Sequence, residues 1–260
     1  MTSHVLTRVE DGVATLTLNR PTAMNAFDGD TARAIVDAVG AFAADPAVRV
    51  MIIAASGRSF SAGGDFNWVL TWPNLDAITR RVGADAMMGA VQAIYDFPKP
   101  SIARVQGAAV GGGVGLMLAC DFAIAASPSR FGLTSVRNGL LAGIAIPVLI
   151  EAVGPRMARQ LMMHGGVFDA QTALRIGLVD QVVAAEALDA TVATLAGELM
   201  LGAPSVQTTV KKLITEIDAL PHDTDLAGIV GEHVANQCVT DEALEGMSAF
   251  LDKRKPKWAT

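Results

Sequence analysis

Two continuous apolar runs, each followed directly by a glycine-rich turn, set the strongest limit on what this chain can fold into. The first is VRVMIIAAS at residues 48–56, followed by GRSFSAGGDF. The second is PSIARVQ at residues 100–106, followed by GAAVGGGVGLMLACD. Such runs are typical of strands buried on both faces, as in parallel sheets covered by helices. The sequence therefore predicts an α/β protein whose repeated β/α units bring two glycine turns to one region.

Local signals predict the elements around these runs. An Asp-Gly pair between β-prone segments predicts a hairpin over residues 4–19. Asp28 or Asp30 can cap an alanine-rich helix. From residue 144 onward the pattern predicts helices, apart from a short strand within 177–183. Strands and helices thus alternate in the first half, and helices dominate the second.

The composition narrows the class of protein. Of the 260 residues, 51% are apolar and 18% are charged, which is enough to bury a sizeable core. The net charge of −6 argues against nonspecific binding to nucleic acid. No apolar run reaches the roughly 18 residues of a membrane span, and the N-terminus lacks the apolar centre of a signal peptide. Cys120 and Cys238 indicate no disulfide framework or zinc site, so we expect a cytoplasmic protein with reduced thiols.

The glycines themselves suggest an anion site. If Gly112 occupies the first turn of a helix, no helical carbonyl accepts its N–H, and an oxygen can approach a backbone that has no Cβ. Gly64 in SAGGDF can do the same at the other turn, and two such donors would hold an oxyanion. The alternative is that both glycines serve tight turns or close packing. A phosphate loop fits poorly, because Gly113 stands where that motif needs lysine.

Five segments, in order along the chain, carry a resemblance to a known family. They are SFSAGGDF, GAAVGGGVGLMLACDFAIA, FGLTSVRNGL, ALRIGLVDQVV and EGMSAFLDKRKPKW. Together they resemble the crotonase superfamily, the enoyl-CoA hydratase/isomerase family. The resemblance implies a spiral of ββα units over 1–195 and a C-terminal helical trimerisation region over 196–260. It also implies an acyl-CoA substrate, no further cofactor, no metal, and a homotrimer or homohexamer.

The resemblance assigns roles to individual residues. It implies that the oxyanion hole consists of the backbone N–H groups of Gly64 and Gly112, as the glycine argument suggests. Its CoA contacts fall on Ala26, Arg58, Ala62 and Lys253. Arg58 replaces a common lysine and keeps the positive charge that a CoA phosphate needs. Without the resemblance, Arg58 reads as a solvated loop charge.

The sequence departs from the family pattern at both catalytic carboxylates. Hydratases of the family use two glutamates, and the matching positions here are Gly115 and Ser135. Placed acid/base groups contribute about 10²–10⁴-fold to a rate, so we expect hydration to be severely impaired. The Ser135 hydroxyl can position a water molecule, but at neutral pH it is no base without a partner.

Four further side chains are candidates for the substrate pocket. Asp65 adjoins the predicted hole and could replace the missing acid, or it could cap the next helix. Trp68 could line the acyl pocket or pack between helices. Arg137 and Asn138 could orient a polar acyl group or form a structural hydrogen-bonding pair.

The sequence thus predicts an acyl-CoA thioester-processing enzyme that stabilises an enolate. Hydratase or isomerase activity is the family default. Decarboxylation of a malonyl-type thioester suits the residues better, because departure of CO₂ itself generates the enolate. Thioester hydrolysis and non-catalytic acyl-CoA binding remain open as alternatives.

Overall fold

The structure, a computed structural model, describes residues 3–221 and 223–259. Its strands are β1 (Val5–Glu10), β2 (Val13–Leu18), β3 (Val50–Ala55), β4 (Ser101–Val105), β5 (Ala108–Val110), β6 (Phe122–Ala126), β7 (Arg130–Gly132), β8 (Val167–Asp169) and β9 (Gln181–Val183). Its helices are α1 (Gly29–Ala44), α2 (Phe66–Val69), α3 (Ala77–Tyr95), α4 (Gly112–Leu118), α5 (Ile146–His164), α6 (Ala170–Arg175), α7 (Leu188–Leu199), α8 (Pro204–Asp218), α9 (Leu226–Gln237) and α10 (Asp241–Leu251).

The strands form two sheets. The larger has the order β1-β2-β3-β4-β6-β9, and every pair in it is parallel except the β1–β2 hairpin. The hairpin turns at Asp11 and Gly12, both of which have positive φ, as the Asp-Gly signal predicts. The smaller sheet has the order β5-β7-β8. After β4 the chain passes back and forth between the two sheets: β5, β7 and β8 belong to the smaller sheet, and β6 and β9 belong to the larger.

Helices cover both faces of the larger sheet, which explains the continuous apolar run of β3. Met51 and Ile53 are buried in the main core cluster, which also includes residues of α1, α3 and α4. Val50 lies in a second cluster with residues of α7, such as Leu188 and Val192. Successive side chains of a strand point to opposite faces, so a strand covered on both sides must be apolar throughout. The predicted buried strands are confirmed.

The smaller sheet is where the sequence interpretation was wrong. The prediction of helices from residue 144 onward, with one strand within 177–183, missed β8 (Val167–Asp169). A three-residue strand is too short to show a period, and its pairing with β7 is decided by distant parts of the chain. The expected boundary at residue 195 lies within α7, and Leu199 and Met200, at and just after the end of this helix, pack against the second core cluster.

The C-terminal helices are joined to the core by a few polar contacts. Lys211 of α8 forms an ion pair with Asp121 at 2.8 Å, and Asp121 also accepts from the backbone and hydroxyl of Ser101. The indole N–H of Trp258 donates to the carbonyl of Leu201. Large apolar side chains on and between the last two helices are exposed: Val234, Val239, Leu244, Met247, Phe250 and Leu251. Within the described ranges, no helix is both long and apolar enough to cross a membrane.

Candidate active site

Ser61 joins the two glycine turns. Its backbone pairs with β5: the Ser61 N–H donates to the Ala108 carbonyl, and the Val110 N–H donates to the Ser61 carbonyl, both at 3.0 Å. The Ser61 hydroxyl donates to the Asn25 carbonyl at 2.8 Å and accepts from the Gly63 N–H at 3.1 Å. The loop after β3 is therefore fixed to the strand that leads into the second glycine turn.

The first turn touches the second at Gly63. This residue has a φ of 83°, in the region that favours glycine. A Cβ built on Gly63 would lie 2.7 Å from the Val110 oxygen and 2.9 Å from the Gly112 nitrogen. Only a residue without a side chain allows the two backbones to come this close.

The Gly64 N–H is available for a ligand because of its place in a parallel bridge. The Phe27 N–H donates to the Gly63 carbonyl at 2.8 Å, and the Asp65 N–H donates to the Phe27 carbonyl at 3.0 Å. A residue between two such bonded groups turns its own N–H to the opposite side. The expectation that Gly64 opens a helix is wrong, because α2 begins at Phe66 and is capped by Asp65.

The second donor is Gly112, which is the first residue of α4, as predicted. Gly111 precedes it with a φ of 54° and donates its N–H to the Gly132 carbonyl. The first N–H groups of a helix have no intrahelical acceptor. Among the described residues, no hydrogen bond satisfies the N–H of either Gly64 or Gly112.

Apolar side chains flank both donors. A Cβ built on Gly112 would meet the Cδ1 of Ile144 at 2.9 Å and the ring of Phe27 at 3.0 Å. A Cβ on Gly64 would meet the terminal methyl of Met87 at 3.1 Å. Met87 and Ile144 are half-buried and pack against the core. The sequence analysis missed both residues, because neither stands in a motif and the fold alone brings them here.

Ser135 and Gly115, the two positions at which the resemblance implies glutamate, differ in their surroundings. The Ser135 hydroxyl lies 3.3 Å from the Cβ position of Gly111, so it is beside the second turn. Gly115 faces Ala145, whose Cα is 3.2 Å from the Gly115 Cβ position. A side chain at residue 115 would therefore meet the backbone of the turn before α5.

The carboxylate of Asp65 is occupied by structural contacts. It accepts from the Asn67 N–H at 2.9 Å, which caps α2, and from the Arg20 guanidinium at 2.8 Å. Arg20 also lies 3.3 Å from the carboxylate of Asp28. Burial opposes ionisation of Asp28, but hydrogen bonds from Thr31 and the positive charge of Arg20 outweigh it and lower its pKa. Neither carboxylate is arranged as a proton donor.

Three of the four residues expected to bind CoA are brought together. The Ala62 N–H donates to the Met24 carbonyl, and Arg58 approaches the Met24 sulfur, so the loops that contain Ala26, Arg58 and Ala62 lie side by side. Arg58 is exposed, as a phosphate contact requires.

Lys253 lies elsewhere in its own chain. It follows α10, and the nearby carbonyl of Trp258 accepts from Arg49, which directly precedes β3. The first glycine turn follows the opposite end of β3, so the segment after α10 contacts this strand at the end away from that turn.

The remaining candidates make packing or surface contacts. The rings of Trp68 and Trp72 form an edge-to-face pair with centroids 5.1 Å apart. Trp68 also lies against Gly29 of α1 and Gly83 of α3. Arg137 is exposed and donates to the carbonyl of His164, at the end of α5. Asn138 is also exposed. Within the described residues, no cluster of His, Cys, Asp and Glu could hold a metal ion.

A comparison with protein families decides the identity of the fold. The model of the enoyl-CoA hydratase/isomerase family matches residues 8–260. The chain belongs to this family. The α/β crotonase fold that the five segments predict is therefore confirmed.

Individual relatives agree with this assignment. Crotonyl-CoA hydratase of Syntrophomonas wolfei is 38% identical over 255 residues, which cover 97% of this chain and 96% of that protein. Short-chain-enoyl-CoA hydratase of Clostridium acetobutylicum is 31% identical, with coverage of 97% and 96%. The solved structure of an enoyl-CoA hydratase from Shewanella pealeana matches with a TM-score of 0.93 at 30% identity, covering 98% of this chain and 96% of that one.

The contact at Gly63 generates a prediction. We expect Gly63→Ala to lower the free energy of unfolding by at least about 2 kcal/mol, because the new Cβ is strained at positive φ and meets the Val110 oxygen. Gly40→Ala is the matched control: Gly40 lies in α1 with open space around its Cβ position. That variant should gain about 0.5–1 kcal/mol. Urea unfolding measures both, and equal stability of the two variants would contradict the prediction.

Proposed function

We propose that the chain binds acyl-CoA with the thioester oxygen between the N–H groups of Gly64 and Gly112 and stabilises an enolate there. The observation that supports the proposal is that Gly64 and Gly112, whose N–H groups have no acceptor among the described residues, lie on two turns that touch where Gly63 meets Gly112. Donors fixed by the fold stabilise a developing oxyanion without reorganising, and losing one from such a hole typically costs about 2.7–4 kcal/mol.

The side chains around the hole favour chemistry with little acid/base assistance. Hydration breaks an O–H bond of water, adds the oxygen to the β-carbon and delivers a proton to the α-carbon. Gly115 has no side chain that could take a proton from water or deliver one to the α-carbon. Ser135 has no hydrogen bond to a base within the described residues. Asp65 is bound by Arg20 and by the cap of α2. We therefore propose that hydration is slow in this chain, although relatives carry the names of hydratases.

Decarboxylation of a malonyl-type thioester is the second candidate. The bond from the α-carbon to the carboxylate breaks, its electron pair becomes the enolate, and CO₂ leaves. The α-carbon takes a proton from solvent after CO₂ has left and water can enter. The apolar surroundings supplied by Met87 and Ile144 favour it, because a carboxylate in an apolar site gains by losing its charge as CO₂. Thioester hydrolysis and acyl-CoA binding without turnover are the remaining outcomes of the assays below.

CoA binding and assembly belong to the same proposal. Ala26, Arg58 and Ala62 lie on adjoining loops suited to hold the CoA portion of the substrate, with no other cofactor. Because the segment after α10 contacts the start of β3, away from the first glycine turn, Lys253 is assigned to the site of another subunit in this proposal. The exposed apolar side chains of α9 and α10 support a homotrimer or homohexamer. We also propose a cytoplasmic location, in keeping with the free Cys120 and Cys238.

The position of the substrate is directly testable. A crystal structure with butyryl-CoA should show the thioester oxygen within about 3 Å of both the Gly64 and Gly112 nitrogens. An oxygen beyond hydrogen-bonding distance of both nitrogens would refute the proposed function.

The missing carboxylates lead to a kinetic prediction. We expect crotonyl-CoA hydration by the unmodified protein far below the ~10 s⁻¹ of a typical enzyme, and at least a tenfold gain in Ser135→Glu. The reason is that glutamate supplies a base beside the Gly111 turn. Ser135→Gln is the matched control, since it has a similar shape but cannot take a proton, and it should give no gain. Rapid hydration by the unmodified protein would show that another base operates.

Assembly leads to a third prediction. Light scattering at micromolar concentration should give a mass three or six times that of the 27.0 kDa chain. Phe250→Asp should shift this mass toward the monomer, because it places a charge on a side chain that is 82% exposed in the single chain. A monomeric unmodified protein would contradict the proposed assembly.

A further inference from the structure

We propose that Ile144 keeps water away from the bound acyl group and so selects the type of reaction that this site performs. The inference rests on the proposed function, because it assumes that the thioester lies at Gly64 and Gly112. It goes further by assigning reaction specificity to a side chain outside every motif of the sequence.

The position of Ile144 is set by a short turn. Gly143–Ala145 form a 3₁₀ turn directly before α5, and this turn lies along α4. The Cδ1 atom of Ile144 is 2.9 Å from the Cβ position of Gly112, the residue that supplies the second donor. Ile144 is only half-buried, so part of its side chain faces open space beside that donor.

The next residue closes the adjoining space. Ala145 packs on Gly115, one helical turn further along α4, with its Cα 3.2 Å and its Cβ 3.4 Å from the Gly115 Cβ position. Gly112 and Gly115 lie on one face of α4, since residues three apart are neighbours on a helix. Ile144 and Ala145 are consecutive residues of one turn. Ile144 thus covers Gly112, which supplies the donor, and Ala145 covers Gly115, where the resemblance implies a glutamate.

A nucleophilic water at this place would find few polar side-chain partners. The side-chain atoms against Gly112 and Gly64 belong to Ile144, Phe27 and Met87, and none of these side chains offers a water an oxygen or nitrogen partner. An ordered water normally has two to four polar partners. The Ser135 hydroxyl, against Gly111, is a single such group. Restoring a base at residue 135 therefore supplies only part of what hydration needs, because the Ile144 side chain still restricts the approach of water.

The test combines two substitutions in a double-mutant cycle. Crotonyl-CoA hydration is measured as kcat and KM for Ser135→Glu, Ile144→Ala, and the double variant. Ile144→Ala alone should gain less than about twofold, because no base is present. The double variant should exceed the product of the two single effects by at least about tenfold, with the gain in kcat and KM changed less than about threefold.

Two further variants serve as controls. Ile144→Val removes the Cδ1 atom that meets Gly112 while retaining the β-branch, so with Ser135→Glu it should show the same coupling in smaller measure and carries the test if Ile144→Ala does not fold. Ile150→Ala is the same chemical change on an exposed part of α5 and should show no coupling with Ser135→Glu.

The outcomes separate the two proposals. Additive effects in both the Ala and Val cycles would overturn the role of Ile144. In that case, binding of butyryl-CoA to the unmodified protein, measured by calorimetry, would leave the proposed function standing. Absence of that binding would overturn both. Coupling of at least about tenfold, confined to kcat, supports Ile144 as the residue that excludes water.

Discussion

The site depends on the two-sided pairing of Ser61. Its backbone joins β5, and its hydroxyl links the Asn25 carbonyl to the Gly63 N–H, so one buried residue fixes the first glycine turn to the strand that produces the second. A buried polar group left without a partner costs about 1–3 kcal/mol. Among the described residues, no buried side-chain nitrogen or oxygen lacks a partner. The distance between the two donors is therefore set by a fully satisfied network, and substrate binding need not create it.

Around this network, the charges are arranged for structure rather than for proton transfer. Arg20 lies between the carboxylates of Asp28 and Asp65, and each carboxylate also caps a helix, α1 or α2. The atoms nearest the donors come from apolar side chains, apart from the Ser135 hydroxyl. Hydrogen bonds to an oxyanion are stronger in such surroundings than in water. The side chains nearest the two donors therefore suit negative charge on an oxygen better than they suit proton transfer.

The sequence predicted those features that local chemistry decides. The Asp-Gly hairpin, the Asp28 cap, the buried strand β3 and the position of Gly112 at the start of α4 follow from signals within a few residues, and each is present. The availability of the Gly64 N–H follows instead from pairing with Phe27, 37 positions earlier in the chain. The contacts of Ile144 with Gly112 and of Ala145 with Gly115 likewise depend on how α5 packs on α4. No spacing in the sequence encodes such contacts.

The order of elements along the chain has a consequence for biosynthesis. Both donors, the Ser61 network and the turn that contains Ile144 are complete once residue 145 has been made. The exposed apolar side chains lie much later, on and beyond α9. During synthesis the residues around the two donors therefore precede the core residues up to Val179, and the exposed apolar side chains are added last. The surface most exposed to aggregation is thus present for the shortest part of synthesis.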